Sequence, residues 1–339
     1  MSVKSVVKTF VIEANNLTKT FAGGVVAVSG LDLRVERGAV YGLMGRNGAG
    51  KTTTLRLLMG LLRPDRGTAR LLGTDLTSAP RPVRARVAYV SQAQQLPGWM
   101  TLAELCRYLS HFYDQWNDAL ASDMARRWGL PEHRPVGQLS GGEQRKVAIL
   151  LALVPQPEVL LLDEPAAGLD PIARRQLVDE LVSIVARGEG STVLFSTHII
   201  SDLERIAEFV GIMDRGRLLM SARLDELQAN MRRVQIIFPG DASPSHFTLA
   251  GSLRCSRSGS VITAITPLPD SQQIESLRRM PGVRVQVFPL GLEEIFIELV
   301  AQERLGESNN NDWKPQDQDA GSRTNATIES EYEKRKHAV

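Results

Sequence analysis

The sequence predicts an α/β protein in which a glycine-rich loop joins a buried strand to a helix. Val40–Met44 is a short apolar run that is typical of a buried strand. Gly45–Thr53, with the sequence GRNGAGKTT, follows it and leads into Thr54–Met59, the predicted first turns of a helix. Val159–Leu162 is a second apolar run, long enough only for a fully buried strand of a parallel sheet, and two acidic residues follow it. We therefore expect an open sheet that binds its ligand beyond the carboxyl ends of the strands.

The glycine-rich segment has the features of a loop that binds phosphate. Gly45, Gly48 and Gly50 let the backbone fold tightly around an anion, so that successive amides and the helix N-terminus point at phosphate oxygens. Lys51 then reaches the β and γ phosphates, and the Thr52 hydroxyl holds Mg²⁺. A glycine-rich turn without a ligand is the alternative. The strand before the loop and the helix after it favour a nucleotide-binding loop.

Composition limits the class of protein. The chain has 339 residues, of which 43% are hydrophobic and 23% charged, as in an ordinary soluble protein with one large domain and a smaller appendage. A net charge of +2 gives no strong attraction to nucleic acid or anionic lipid. The longest apolar run, Val147–Val154, is far shorter than the roughly 20 residues of a membrane span. Because the first ten residues lack the apolar core of a signal peptide, we expect a cytoplasmic protein.

The two cysteines indicate neither a metal site nor a structural disulfide. Cys106 and Cys255 lie far apart and match no spacing of metal ligands. We expect both to be free, buried thiols.

Further elements surround the loop. Thr9–Glu13 and Val26–Val35 are predicted strands, and Phe21 lies between them. An aromatic residue in that position either stacks on an adenine ring or is an ordinary surface or core residue, and the sequence leaves both open. Val87–Ser91 is another predicted strand, and Gln92 follows it where a loop begins.

Short helices replace this pattern after residue 92. Thr101 and Glu104 form a predicted capping box before an amphipathic segment, and the aromatic residues of this region are expected in the core. A second capping box, Ser140 with Glu143, begins an apolar helix. A well-capped helix is the simple interpretation. It is compatible with function, because such a helix start with two glycines offers amides and a dipole to an anion.

Acidic and imidazole side chains follow the later strands. Asp163 and Glu164 end a buried strand, where uncompensated carboxylates are costly, and this favours a Mg²⁺ site. Asp170 is the predicted cap of the next helix. His198 lies just beyond the predicted strand Thr192–Ser196, where an isolated histidine is usually solvated or satisfied.

The last third of the chain predicts a small α+β appendage and a tail. Val234–Phe238, Ser260–Ile265 and Val283–Phe288 are predicted strands around a helix at Asp270–Arg279. From about Glu303 onward the sequence is polar, so we expect residues 303–339 to be disordered.

The order of these motifs resembles the ATP-binding subunit of an ABC transporter. GRNGAGKTT at 45–53 resembles the Walker A loop, LSGGEQ at 139–144 the signature, and VLLLDE at 159–164 the Walker B strand. AAGLD at 166–170 resembles the D-loop, while Gln92, His198 and Phe21 match the Q-loop glutamine, the switch histidine and the adenine-stacking aromatic. The resemblance covers residues 10 to 225, and GLEEIF at 291–296 is similar to an ending of drug, lipid and antibiotic-peptide exporters.

The resemblance implies a P-loop NTPase fold, with a RecA-like core sheet, an antiparallel β subdomain and a helical insertion. The ATP-binding domain spans 9–225 with the insertion at about 93–155, and the accessory α+β region spans 226–302. It implies catalytic roles for Glu164, His198, Lys51 and Gln92. The metal is assigned to Thr52, Gln92 and Asp163. ATP is assigned to Phe21, Gly45, Arg46, Asn47, Gly48, Ala49, Gly50, Lys51, Thr52, Thr53, Ser140, Gly141, Gly142 and Asp170.

The resemblance also implies partners. Two ATP-binding subunits, identical or different, are expected to enclose two ATP molecules, each between the phosphate loop of one subunit and the signature of the other. A separate membrane permease is the second expected partner, which places the chain on the cytoplasmic face of the membrane. Nucleic acid is not expected as a partner. Two rival functions are an ABC ATPase acting on ribosomes or DNA and a regulatory module that closes on ATP without hydrolysis. The single cassette and the short insertion argue against the first. The intact Asp163, Glu164 and His198 argue against the second.

Overall fold

The computed structural model divides the chain into an N-terminal unit, Met1–Ala222, and a C-terminal unit, Arg223–Val339. It describes residues 9–76, 81–93, 95–186, 191–240, 247–267 and 271–304, together with Pro244 and Pro269. Residues 305–339, most of the tail expected to be disordered, lie outside this description. No helix in the described part is both long and apolar enough to cross a membrane.

The N-terminal unit combines two sheets with seven helices within the described ranges. Its strands are β1 (Phe10–Phe21), β2 (Val25–Glu36), β3 (Val40–Gly45), β4 (Arg66–Leu71), β5 (Thr74–Asp75), β6 (Val87–Val90), β7 (Val159–Asp163), β8 (Thr192–Thr197), β9 (Phe209–Asp214) and β10 (Arg217–Arg223). Its helices are α1 (Lys51–Leu58), α2 (Arg81–Arg84), α3 (Leu102–Ser110), α4 (Asp118–Arg127), α5 (Gly141–Leu153), α6 (Pro171–Ala186) and α7 (Ile200–Ile206), with a 3₁₀ turn at Val136–Gln138.

The larger sheet has six strands in the order β10-β9-β3-β8-β7-β6. β3 pairs in parallel with β8 and β9, and β7 pairs in parallel with β6 and β8. Every residue of β3, β7 and β8 is buried, which explains why these strands are continuous apolar runs rather than alternating ones. The carboxyl ends of three adjacent strands, β3, β8 and β7, therefore meet at one edge.

The smaller sheet has the order β2-β1-β4-β5, and β1 pairs antiparallel with β2 and β4, as β4 does with β5. One apolar core includes Ile12 and Leu31 from this sheet, Leu43 and Leu161 from the larger sheet, and Leu55 from α1. The phosphate-loop helix thus packs into the core that the two sheets share. The P-loop NTPase fold, with its antiparallel β subdomain and helical insertion, is confirmed.

The aromatic residues of the insertion do not follow the prediction. Trp128 is buried, but Trp99, Tyr108 and Phe112 are 79%, 55% and 62% exposed. Tyr108 and Phe112 stack edge to face with centroids 5.2 Å apart. The expectation that they lie in the core is wrong, because the buried stripe of α3 runs through Leu102 and Leu105 instead.

The C-terminal unit folds around its own sheet and core. Its strands are β11 (Met231–Ile237), β12 (Arg254–Ser258), β13 (Val261–Pro267) and β14 (Arg284–Pro289), in the order β12-β13-β11-β14. Its helices are α8 (Leu224–Asn230), α9 (Ser271–Arg279) and α10 (Leu292–Arg304). Val234 and Ile236 on the sheet and Ile274 and Leu277 on α9 belong to one buried cluster. The unit is α+β, with antiparallel pairing throughout.

Candidate active site

The phosphate loop is a turn that admits no side chain at two of its glycines. Gly50 has a φ of 105°, and a Cβ there would lie 2.3 Å from the carbonyl oxygen of Ala27. A Cβ on Gly45 would lie 2.6 Å from the carbonyl oxygen of Met213. α1 begins directly after Gly50, at Lys51, three residues before the predicted first turns at Thr54–Met59. The free amides of this helix start are thus presented at the end of β3.

Lys51 is a buried cation surrounded by oxygen atoms. Its Nζ donates to the carbonyl oxygens of Gly45 at 2.7 Å and Arg46 at 3.2 Å. Nζ also lies 3.1 Å from Oε1 of Glu164, an ion pair that lacks hydrogen-bond geometry. Both side chains are almost completely buried. The loop therefore holds the amino group by bonds that an incoming phosphate can replace.

Asp163 joins the phosphate loop to two strands. Its Oδ1 accepts hydrogen bonds from Thr52 Oγ1 at 3.0 Å and from Ser196 Oγ at 2.7 Å. Its Oδ2 is buried and has no hydrogen-bond partner among the described residues. A buried carboxylate oxygen without a partner is costly, and a hydroxyl beside it supplies a second oxygen ligand. The pair fits a Mg²⁺ ion.

Glu164 lies between Lys51 and His198. The Nδ1 atom of His198 is 2.8 Å from Glu164 Oε2, and the Glu164 amide donates to Ser196 Oγ at 2.9 Å. Glu164 has a φ of 48°, in the left-handed region that non-glycine residues rarely occupy. Its carboxylate is thereby held between a cation and an imidazole at the carboxyl ends of β7 and β8.

Gln92 is exposed just beyond the end of β6. Arg145 on α5 donates through Nη1 to the Ser91 carbonyl at 2.6 Å and through Nη2 to the Gln92 carbonyl. Burial lowers the pKa of the Arg145 guanidinium, and the charges of Asp163 and Glu164 oppose this effect. The backbone at Gln92 is therefore tied to the helix that carries the signature.

The signature forms the predicted capping box. Ser140 Oγ accepts from the Glu143 amide at 3.2 Å and donates to Glu143 Oε2 at 2.8 Å, while the Ser140 amide donates to the same carboxylate at 2.7 Å. These bonds, first the one from the Ser140 amide, lower the pKa of Glu143. Ser140 and Gly141 are exposed at the start of α5. The helix N-terminus is thus ordered and accessible.

Asp170 and Phe21 occupy separate exposed positions. Asp170 Oδ1 accepts from the amides of Ile172 and Ala173, both at 2.9 Å, and caps α6. The bond from Ala173 is the main cause of the lowered pKa of Asp170. Phe21 is 42% exposed at the end of β1.

An open cavity of about 420 Å³ lies along the phosphate loop. It is lined by Arg46, Asn47, Gly48, Ala49, His198, Asp214 and Arg215.

The structure brings five predicted residues into one connected cluster. Lys51 contacts Glu164, which contacts His198, and Thr52 contacts Asp163. Ser196 joins the two halves of the cluster, because its hydroxyl contacts both Asp163 and the amide of Glu164. In the described ranges, no hydrogen bond or ion pair joins Ser140, Asp170 or Phe21 to it.

Ser196 was missed in the sequence, although it is the last residue of a predicted strand that ends at the same sheet edge. Arg145 was missed too.

Comparison with known proteins agrees with this arrangement. A family model described as "ABC transporter" matches residues 28–167. The chain is 33% identical over 305 residues to a Nod factor export ATP-binding protein I from Burkholderia orbicola (strain AU 1054), covering 86% of this chain and 97% of that protein. It is 37% identical over 226 residues to the daunorubicin/doxorubicin resistance ATP-binding protein DrrA from Streptomyces peucetius, covering 65% and 67%.

A solved structure of an ATP-binding subunit of an ABC transporter superposes with a TM-score of 0.59 at 28% identity, over 65% of this chain and 92% of that one. One family accounts for the order of the motifs, the buried cluster and the similarity to a relative over 97% of that relative's length. The chain belongs to the ABC transporter family, as an ATP-binding subunit with the ATPase activity of that family.

Proposed function

We propose that this subunit binds ATP with Mg²⁺ at the phosphate loop and hydrolyses it to power export through a separate membrane permease. The observation that carries the proposal is the buried cluster of Lys51, Thr52, Asp163, Glu164 and His198. It contains a cation for the phosphates, a hydroxyl and a carboxylate for Mg²⁺, and a carboxylate and an imidazole for the attacking water and the γ phosphate. The remaining donors come from a second subunit.

Lys51 and the loop amides bind the phosphates. The amino group now rests on two carbonyls and beside Glu164, and the more strongly charged β and γ phosphates replace these partners. Phosphate binding therefore separates Lys51 from Glu164. The carboxylate is released for catalysis only when the substrate is present.

Thr52 and Asp163 would hold the Mg²⁺ ion, with Gln92 as a third group. The unpartnered Oδ2 of Asp163 and the adjacent Thr52 hydroxyl support this assignment. The ion, when bound, supplies positive charge that offsets the phosphate charge. Ser196 fixes the Asp163 carboxylate by its bond to Oδ1, which leaves Oδ2 for the metal.

Glu164 would polarise the attacking water, and His198 would orient Glu164. A carboxylate at 2.8 Å from Nδ1 requires a proton on that nitrogen, so the imidazole donates through Nδ1. In contact with the γ phosphate both ring nitrogens must carry protons, because Nδ1 donates to Glu164 and Nε2 donates to the phosphate oxygen. His198 also borders the cavity along the phosphate loop, which supports this role.

The second half of each site comes from the partner subunit. Ser140 and Gly141 are exposed at a capped helix N-terminus, which favours anions. In a head-to-tail dimer this helix start faces the γ phosphate on the opposite phosphate loop, Asp170 connects the two sites, and Phe21 stacks on adenine. ATP then acts as the link that closes the dimer, and hydrolysis opens it.

The permease binds the helical insertion. Trp99, Tyr108 and Phe112 form an exposed aromatic surface around a cavity of about 660 Å³, with Glu104 and Arg107 at its edge. Clustered exposed aromatics are typical of protein interfaces.

The direction of transport is outward. The relatives' names and the GLEEIF segment at 291–296 support export.

Recovery of partners from native membranes tests this function. A tagged Glu164→Gln chain with ATP is expected to retain a polytopic membrane protein after detergent extraction. Adding Trp99→Ala should lower that recovery about tenfold, as for a central aromatic interface residue. Leu61→Ala, an exposed apolar residue outside the insertion, is the matched control. Recovery of ribosomes or nucleic acid without a membrane protein would overturn the proposal.

A further inference from the structure

Arg145 is a half-buried cation that binds backbone rather than an acidic partner. Its two terminal nitrogens donate to the adjacent carbonyls of Ser91 and Gln92. Within the described ranges no carboxylate lies within ion-pair distance of its guanidinium. Taking a guanidinium out of water is costly. Two charge-assisted bonds to consecutive carbonyls offset that cost only while the Ser91 and Gln92 backbone keeps its position. The planar fork of arginine suits two adjacent acceptors, whereas a lysine ammonium makes a point contact.

The same side chain is rigidly connected to the signature. Arg145 lies on α5, five residues after its cap Ser140, which is about 7.5 Å along the helix. Val147, Ile149 and Leu150, just beyond it, are completely buried, so the helix moves as one piece with its packing. A displacement of the Gln92 backbone is thereby transmitted to the helix start, and a displacement of the helix start to Gln92.

We propose that Arg145 is a positioning residue that couples the two ATP sites of the dimer. This inference rests on the proposed function, in which Gln92 serves the site on its own phosphate loop while Ser140 completes the site of the partner subunit. One guanidinium then links the loop that senses ligand in one site to the donors of the other. Such coupling is reciprocal, so each ATP strengthens the binding of the other.

Arg127 provides a control arginine on another helix of the insertion. It lies on α4 and pairs with the buried Glu180 on α6 at 2.6 Å, so it also fastens the insertion to the core. Its second ion-pair partner is Asp123 on its own helix. Loss of Arg127 therefore reports the structural effect of losing an arginine here, without the effect on the Q-loop.

The test is the ATP dependence of hydrolysis by the full-length chain, with thermal melting of each variant. We expect a cooperative wild type, and Arg145→Gln with a Hill coefficient near 1 and kcat reduced about fivefold or more. Arg145→Lys should recover part of both, because one donor remains. Arg127→Gln should melt at a lower temperature yet keep the wild-type Hill coefficient.

Three results would overturn the inference. They are a non-cooperative wild type, unchanged cooperativity in Arg145→Gln, and equal loss in the Arg145 and Arg127 variants. A wild type without any turnover is a different failure, because it contradicts the proposed function and the inference with it.

Discussion

At the residue scale, the buried pair of Lys51 and Glu164 is the centre of the site. The two side chains form an ion pair, with Nζ and Oε1 3.1 Å apart, and both are more than nine-tenths buried. Breaking such a pair without a replacement leaves an uncompensated buried charge. We propose that a phosphate takes the place of Glu164 as the partner of Lys51, so that substrate binding releases the Glu164 carboxylate.

Replacing Lys51 tests this reading of the loop. Lys51→Ala removes charge-assisted bonds to phosphate of about 1.5–3 kcal/mol, so the Kd for ATP should rise about ten- to hundredfold. Calorimetric titration with ATP and Mg²⁺ measures the affinity. Arg278→Ala, which removes the exposed partner of Glu275 on α9 of the C-terminal unit, is the control and should leave the Kd unchanged. An unaltered affinity in Lys51→Ala would contradict the phosphate-loop assignment.

Glu143 gives a pH dependence whose sign is fixed by its hydrogen bonds. The Ser140 amide and hydroxyl lower its pKa from 4.5, so its capping contribution to stability is complete above that value. The contribution is lost as pH falls through the lower folded-state pKa. Glu143→Gln cannot titrate there, so its melting temperature should fall less than that of the wild type between pH 5 and about pH 3. Parallel melting curves for the two proteins would refute this capping role.

The sequence predicted the five residues of the buried cluster but not Ser196 and Arg145, which contact predicted site residues. Lys51, Asp163, Glu164 and His198 belong to local patterns at strand ends. Ser196 and Arg145, in contrast, act through partners 33 and 54 residues away, Asp163 and Ser91. Such contacts depend on which strands become neighbours, and no local pattern of apolar and polar residues contains that information.

At the scale of elements, an arginine on α6 links the first turns of α6 and α7. Arg174 follows Asp170 by four residues and binds Asp202 on α7 with two bonds of 2.7 and 3.0 Å. α7 begins two residues after His198. Asp202 is buried, and the Arg174 side chain is 28% exposed. The two helices that follow the D-loop and the histidine are therefore held together at their first turns.

Loss of the Arg174–Asp202 ion pair should lower the free energy of unfolding. Arg174→Ala leaves Asp202 without its ion-pair partner, and we expect about 2–3 kcal/mol of destabilisation, less than for a fully buried pair. Urea denaturation measures the change. The neighbouring Arg175→Ala is the control, because its pair with Asp179 spans 4.0 Å and is exposed, so the cost should stay below about 0.5 kcal/mol. Equal stabilities of the two variants would show that the bidentate bond is not a structural link.

The elements missed in the sequence have polar or interrupted patterns. β12 has the sequence RCSRS and lies at a sheet edge, so it shows no apolar run. β1 extends to Phe21, far beyond the predicted Glu13, although Asn16 has a φ of 49° and the pairing shifts register near it. Pairing with β2 and β4 on both sides overrides the weak local preference of that stretch. α1, whose first turns were predicted at Thr54–Met59, ends at Leu58, before Gly60 with its φ of 66°.

At the scale of the whole molecule, one unit holds all the motifs of the ATPase. Its parallel sheet places the acidic strand end, the histidine and the phosphate loop on three adjacent strands, β7, β8 and β3. Among the described residues, no hydrogen bond or ion pair joins Ser140 or Asp170 to that cluster. We propose that two copies arranged head to tail bring these groups together and complete both sites.

The mass of the Glu164→Gln chain in solution, with and without ATP and Mg²⁺, tests the central claim most directly. The variant keeps the phosphate loop and the signature but lacks the carboxylate that we propose polarises water. We expect ATP to double the mass measured by light scattering, with no release of phosphate, while Lys51→Ala added to this variant prevents the doubling. Continued hydrolysis, or a mass that ATP does not change, would contradict a site completed by two subunits and driven by Glu164.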